Sequence, residues 1–319
     1  MSNYKQRQKL ISKFIAHRKR EVITLVTSTK QPEEHFAAQI AMDLLPIFYE
    51  LLKEKKGGAE FDLLIYSAGG QVDAPWPIVN LIREYYTDFH VIVPWRAHSA
   101  ATLIALGANR IDMGPLGSLS PIDPQLHIKS SEKKEAVTAG IEDIYGYYLL
   151  IKEKLELDTQ GRTEALKLLA GRIGPEILGQ ASRIRNEIRI IATNLLSLHT
   201  TDDAKINAIV DSLVEKLHSH QYMINRREAQ KIGLPVDLLD EESETLAFKI
   251  LKSYIDEAQM DEPGVAINFG PSENSKTLDM NRAFVENENR SFVFRTKYTF
   301  YKDGKLEKRV NKWMEATQS

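Results

Sequence analysis

The sequence predicts an α/β fold: a parallel sheet with crossover helices, then a helical second half and a C-terminal β-hairpin tail. Three observations predict it. Over residues 21–125, short β-branched and apolar runs alternate with segments of helical period, the pattern of strand–crossover–strand units. Two of those runs, FDLLIYS and HVIVPW, are almost continuously apolar, as strands buried on both faces are. Near the end, RSFVFRTKYTFYKDGKLEKRV is rich in β-branched and aromatic residues around Asp303-Gly304, a pair that suits a hairpin turn.

Taken in order, Leu10, Phe14 and Ile15 lie among Lys and Arg within residues 1–20, which predicts a helical arm packed on the body with a basic, solvated face. EVITLVTS, from Glu21, reads as the first strand. Residues 32–56 are expected to form one helix. Pro32 suits its first turn, and Phe36, Ile40, Leu44, Ile47 and Leu51 recur at helical spacing. FDLLIYS then leads through a Gly-Gly turn into a helix over 75–86, HVIVPW into a helix over 99–108, and RIDMGP is a further short strand. Later helices are expected over 141–157, over 163–198 with a break near 171–175, over 204–218, over 226–232 closed by Gly233, and over 243–259. Residues 261–279, with Pro263, Gly264, Gly270 and Pro271, read as a linker. The expected division is an arm over 1–20, a main domain over 21–260, and a linker with hairpin tail over 261–319.

Composition narrows the function classes. The hydrophobic share of 43% supports a sizeable core, and the formal net charge of -2 gives no global reason to expect nucleic acid or an anionic membrane as partner. The absence of cysteine excludes disulfides, thiolate nucleophiles and cysteine-based metal sites. No apolar run approaches the roughly 20 residues of a membrane span, and the N-terminus lacks an apolar signal core, so a cytoplasmic location is expected.

Two segments carry the chemistry. In YSAGGQVDAPWPIVNLI a buried strand ends at Gly69-Gly70 before a helix. Glycines there permit a turn that aims N–H groups into a cleft, although a plain tight turn needs them as well. In HVIVPWRAHSAATLIALGANRIDMGPLGSLSPIDPQ a second strand runs through Arg96, Ala97 and His98 into Ser99, at the start of a small-residue helix. That is the logic of a nucleophile elbow without its G-x-S-x-G signature. First-turn N–H groups lack helical partners and could stabilise an oxyanion beside the serine. A serine at that position could equally act only as an N-cap. Trp76 is expected in the core or at a subunit interface.

The order strand, Gly-Gly turn, helix, strand, small-residue turn with serine, helix, strand, Gly-Ser loop with proline resembles the Clp protease/crotonase superfamily. It more closely resembles the signal-peptide-peptidase-A-like branch called the serine dehydrogenase proteinase family. The likeness covers residues 21–237. Within it, HQYMINRREAQKIGLPV, with Glu228-Ala229 and Gly233-Leu234, resembles the approach to the family's last helix, and ENRSFVF near the end is similar as well. The resemblance implies a Clp protease/crotonase-like fold and a serine peptidase that needs no cofactor or metal. It implies Ser99 as nucleophile, Gly70 and Ala100 as the two oxyanion N–H donors, and Gly69 as the shaper of the turn. Residues 71–74, with Gln71, and 116–119, with Gly117 and Ser118, would flank an extended peptide and bond to it as a strand does. It also implies a peptide or unfolded-protein substrate and a homo-oligomer. Ile144, Tyr147, Tyr148, Ile151, Leu155, Ile184, Ile188, Ile191 and Leu195 are candidates for burial against a neighbour.

The general base stays open. Where Clp proteases carry a histidine after the third strand, SPIDPQ supplies Asp123, with His127 just beyond. Where they carry an aspartate before the last helix, HSHQYMI supplies His220 and Gln221. One arrangement pairs Ser99 with His220, oriented by Asp123. The other is a Ser–Lys dyad through Lys133 or Lys134, as in signal peptide peptidase A, which requires a desolvated lysine. KSSEKKEA reads as solvated, and a neutral imidazole needs no large pKa shift, so His220 is favoured. Two other functions share the fold: a crotonase-type acyl-coenzyme A enzyme, and a non-catalytic peptide-binding relative.

Overall fold

The computed structural model describes residues 3–54, 58–123, 125–129, 136–155, 157–216 and 222–316. Helix α1 (Asn3–Arg18) leads into β1 (Glu21–Thr27), α2 (Glu33–Phe36), a 3₁₀ turn (Met42–Leu44) and α3 (Leu45–Leu52). Next come β2 (Gly58–Tyr66), α4 (Pro75–Tyr85), β3 (Tyr86–Val93), β4 (Arg96–Ala97), α5 (Ala100–Leu106), β5 (Arg110–Met113) and β6 (Ser118–Leu119). An antiparallel ribbon of β7 (Gln125–Lys129) and β8 (Ala136–Gly140) precedes α6 (Ile141–Leu149), a π-helical turn (Leu150–Lys154), α7 (Thr159–Ile173), α8 (Pro175–Ser197) and α9 (Asp203–Asp211). The chain ends with β9 (Ile224–Asn225), α10 (Arg226–Ile232), β10 (Val236–Leu238), α11 (Glu241–Glu257), β11 (Ser275–Glu286), β12 (Ser291–Tyr301) and β13 (Leu306–Glu315).

The central sheet has eight strands in the order β10-β5-β3-β2-β1-β11-β12-β13. The first five are parallel, and β11 joins β1 antiparallel, pairing Thr24 with Glu286 and Thr27 with Ala283. Strand alternation decides what each face meets. Ile23, Leu25, Leu63, Ile65, Val91 and Val93 belong to the larger core, with Phe48, Ile78, Ile82, Leu103, Ile104 and Leu195 from α3, α4, α5 and α8. Their neighbours Val22, Val26, Leu64, Tyr66 and Ile92 pack with Ile11 and Phe14 of α1 and with Ala247, Ile250, Leu251 and Tyr254 of α11. The result is an α/β sheet covered on both faces, with the helical second half and C-terminal strands expected from the sequence.

Two sequence expectations need correction. Residues 32–56 do not form one helix. Ala38 N–H donates to the Ser28 carbonyl (3.0 Å) and Ile40 N–H to the Gly69 carbonyl (2.9 Å), so this stretch is extended because its backbone pairs elsewhere. Phe36 turns instead to Met280 and Tyr298. The tail is also more than a hairpin. Residues 275–279, read as linker, begin β11, and the hairpin of β12 and β13 continues the main sheet through it. The turn at Gly304 (φ 89°) lies where Asp303-Gly304 placed it.

The α1 and α11 face also buries charge. Arg7, 1% exposed, pairs with Glu286 through Nε (2.9 Å) and Nη2 (2.8 Å), and Tyr254 Oη donates to the same carboxylate (2.8 Å). Further along, Arg18 bonds Asp62 and reaches Asp112 through Nη2 (2.6 Å), while Arg20 Nε bonds Asp62 (2.5 Å). Asp62 and Asp112 are both fully buried. Burial alone would raise the Asp112 pKa, but His90, Arg18 and Arg110 outweigh it and hold the group down at about 2.

Candidate active site

Two turns at the carboxyl ends of β2 and β3 meet. Ser67 N–H donates to the Arg96 carbonyl (3.0 Å) and the Ser67 carbonyl accepts from His98 N–H (3.0 Å), a parallel bridge that locks one turn to the other. Beyond Ser67 the backbone passes Gly69 at φ +120°, where a Cβ would lie 2.6 Å from the Ser99 Cβ and 3.1 Å from its Oγ. A Cβ at Gly70 would lie 2.0 Å from the Ile40 carbonyl oxygen. Only glycine fits either place, for two different reasons: backbone conformation and seating against Ser99 at the first, close approach of Ile40 at the second. Ile40 takes the Gly69 carbonyl (2.9 Å) and the Gln71 N–H (2.8 Å). In such a parallel bridge the middle residue's own N–H, that of Gly70, points away from Ile40.

Ser99 has φ 52° and ψ -114° and stands just before α5. A side chain rarely tolerates this conformation. Its side chain makes no capping bond, so the N-cap alternative does not describe it. The Ser99 N–H donates to Ser120 Oγ (2.8 Å) and its carbonyl accepts from Leu103 N–H (3.1 Å). Ser99 is half-buried, and its Oγ has no hydrogen-bond partner among the described residues. Ala100, fully buried, opens α5, where a first-turn N–H has no helical acceptor. The arrangement therefore places a half-buried serine on a strained turn, against Gly69 and at the start of α5.

The other sequence candidates fall around this point. His98 Nε2 lies 3.0 Å from Ser118 Oγ, which also lies 3.3 Å from the Trp95 carbonyl. Gly117 N–H donates to the Gly114 carbonyl (2.9 Å) and Ser118 N–H to the Trp95 carbonyl (2.6 Å), with β6 flanked by β4 and β9. Gln71 spends its N–H on Ile40 and accepts the Met42 N–H at its Oε1 (3.2 Å). Asp123 is buried, next to Ile122, whose N–H donates to the Leu213 carbonyl (3.0 Å). Trp76 is half-buried against the larger core. His127 belongs to β7. His220, Gln221, Lys133 and Lys134 lie outside the described residues. Sequence reasoning missed Ile40, Ser67, Thr102 and Ser120. The sole local hint was that two are serines beside the singled-out turns. Among the described residues no cluster of His, Asp or Glu could hold a metal ion, and no helix is long and apolar enough to cross a membrane.

Comparison with known proteins points to a family. Residues 1–142 match the family model described as ClpP-like SDH-type serine proteinase. The uncharacterized protein MJ0137 of Methanocaldococcus jannaschii is 28% identical over 183 residues, 55% of this chain and 53% of that protein. The uncharacterized protein MJ1495 of the same organism is 37% identical over 65 residues, 20% of this chain and 22% of that protein. The chain thus spans about half the length, or less, of the curated relatives it matches. Among solved structures, a mutant of the 1510-N membrane-bound stomatin-specific protease is similar at 17% identity and TM-score 0.40, covering 73% of this chain and 84% of that one. The ClpP protease catalytic domain from Plasmodium falciparum is similar at 15% identity and TM-score 0.32, covering 72% of this chain and 90% of that one.

Proposed function

We propose that this chain, whose residues 1–142 match the ClpP-like SDH-type serine proteinases, is a serine peptidase that forms an acyl-enzyme on Ser99. The observation that carries the reading is the Ser99 backbone at φ 52° and ψ -114°, a strained conformation for a side chain with no capping role. In the proposed reaction Ser99 Oγ attacks the scissile carbonyl carbon and gives its proton to a base. The oxyanion accepts hydrogen bonds from the Gly70 and Ala100 N–H groups. The C–N bond breaks as the leaving amine takes that proton, and water then hydrolyses the ester to free Ser99. His220 is proposed as the base with Asp123 as its orienting carboxylate, ahead of Lys133 or Lys134. The substrate, a peptide or an unfolded chain, is proposed to lie extended along the turn of Gly69 and Gln71; the strand-like bonding expected at Gly117 and Ser118 has no free edge, because β6 is paired on both sides by β4 and β9.

A fluorophosphonate probe tests this without knowledge of the substrate. The expected result is one label per chain, mapped to Ser99 by peptide mass, and none in Ser99→Ala. A folded wild-type chain that takes no label at Ser99, while acyl-coenzyme A raises its melting temperature, would overturn the peptidase reading in favour of a crotonase-type enzyme.

The same proposal includes self-assembly. Of the positions singled out in the sequence, Ile144, Ile151, Ile188, Ile191 and Leu195 are buried within the chain itself, whereas Tyr148 (39% exposed) and Leu155 (50%) are not. Leu168 (67%) and Ile190 (60%) on α7 and α8 are exposed as well, and a neighbouring copy packed on these helices would remove them from water. Sedimentation at micromolar concentration should show species heavier than the 36.3 kDa chain; a single monomeric species would contradict it.

A further inference from the structure

We propose that two buried serines, Ser67 and Ser120, are positioning residues that aim the two oxyanion N–H groups. This rests on the hydrolase reading of Ser99. The geometry is the same on both turns. On the first, Ser67 Oγ accepts the N–H of Gly69 (3.0 Å), the residue just before Gly70. On the second, Ser120 Oγ accepts the N–H of Ser99 (2.8 Å), the residue just before Ala100. In each case a hydroxyl fixes the peptide plane one residue ahead of an N–H proposed as an oxyanion donor. A peptide plane is rigid, so fixing it leaves only two torsions between the anchor and the donor.

Both hydroxyls are themselves held. Ser67 is fully buried, and Thr27 Oγ1 donates to its Oγ (2.7 Å). With that proton supplied from β1, the Ser67 hydroxyl turns its own hydrogen toward the Gly69 carbonyl (3.3 Å), bracketing the glycine from both ends. Ser120 is 1% exposed and donates to the Pro121 carbonyl (2.9 Å), which leaves its lone pairs for Ser99. Its N–H donates to Thr102 Oγ1 (3.1 Å), whose hydroxyl in turn reaches the Ala97 carbonyl (2.8 Å), so the anchor is tied to both β4 and α5. A strained turn persists only where its surroundings over-determine it, and these bonds are the side-chain part of that determination. Oxyanion stabilisation depends on donors fixed before the charge develops. The two hydroxyls therefore act on the transition state without touching it.

The test is the rate of fluorophosphonate labelling in the full chain, with saturation resolved into probe binding and the inactivation step. Ser67→Ala and Ser120→Ala should each slow the inactivation step about tenfold or more, a fraction of what loss of an oxyanion donor itself costs. Probe affinity, the labelled fraction at completion and the pH midpoint of labelling should stay as in wild type, because neither serine is the base. A purely structural role would instead lower the labelled fraction and the melting temperature together. Should Ser120→Ala not fold, Ser120→Cys, close in volume and a poorer acceptor, should give a smaller loss in the same step. If wild type labels at Ser99 and the folded variants label at the wild-type rate, the positioning proposal is overturned while the hydrolase reading stands. If wild type takes no label at Ser99, the hydrolase reading fails and this proposal fails with it.

Discussion

If Ser99 is the nucleophile we propose, replacing it by glycine is expected to abolish hydrolysis and yet raise the melting temperature. Ser99 sits at φ 52° and ψ -114°, where a residue bearing a Cβ is strained by about 1–3 kcal/mol. Glycine reaches that region freely, although its larger unfolded-state entropy takes back about 0.5–1 kcal/mol. The two bonds that seat the turn, Ser99 N–H to Ser120 and Leu103 N–H to the Ser99 carbonyl, are made by the backbone and survive the substitution. A net gain of about 1 kcal/mol would raise the melting temperature of a chain this large by about 1–2 °C. Ser99→Ala keeps the Cβ and the strain, so it should be just as inactive without the gain. Loss of a serine nucleophile lowers turnover by about four to six orders of magnitude. Paired melting curves and hydrolysis assays check both halves. Ser99→Gly melting at or below Ser99→Ala would mean that the turn stores no strain, and residual turnover near wild type in either variant would remove Ser99 from the mechanism.

What was legible in the sequence was what short-range chemistry decides. Helix α10 runs over the expected residues because Asn225 caps it, accepting Arg227 and Glu228 N–H, and Gly233 closes it at φ 104°. The break between α7 and α8 falls at Gly174 (φ 88°), directly before Pro175. Gly69, Gly70 and Ser99 stand out only through the order of turns that carries the family resemblance, because a tight turn and a helix cap use the same residue types. What escaped was decided by partners remote in sequence. Residues 37–41 have helical spacing, but Ile40 pairs with Gly70. Strands β4, β6 and β9 are two residues long and exist only through one another. The serines that hold the turns, Ser67 and Ser120, look like any loop serine until Thr27, 40 residues from Ser67, and Thr102, 18 residues from Ser120, are brought beside them. Asp62 and Asp112 interrupt apolar strands with no local hint of why. Their shared partner Arg18 lies 44 and 94 residues away.

Asp112→Asn is expected to destabilise the fold by about 3 kcal/mol at neutral pH, and the loss should shrink on acidification. The wild-type carboxylate is fully buried, 2.6 Å from Arg18 Nη2 and 3.2 Å from Arg110 Nη2 through one oxygen. Its other oxygen lies 2.7 Å from Arg110 Nε, too poorly aligned for a hydrogen bond, and serves as an ion-pair contact. An asparagine of the same shape removes the charge and leaves Arg18, 8% exposed at its side chain, to share Asp62 with Arg20. Breaking one side of a buried pair costs about 3–5 kcal/mol because the remaining charge stays buried; sharing with Asp62 places this case at the lower end. The pH dependence follows from the direction of the shift. The folded-state pKa is depressed from 3.8 to about 2, so below pH 4 the unfolded chain binds the proton first. The ionised group therefore contributes about 2 kcal/mol at any pH above about 4, and that contribution is lost as the pH falls toward 2. Urea unfolding of both chains at pH 7 and at stepwise lower pH down to the acid limit of folding checks this. The gap between them should stay level from pH 7 down to about pH 4 and narrow below that. A gap that is constant with pH would show that Asp112 acts through shape and hydrogen bonding rather than through its charge.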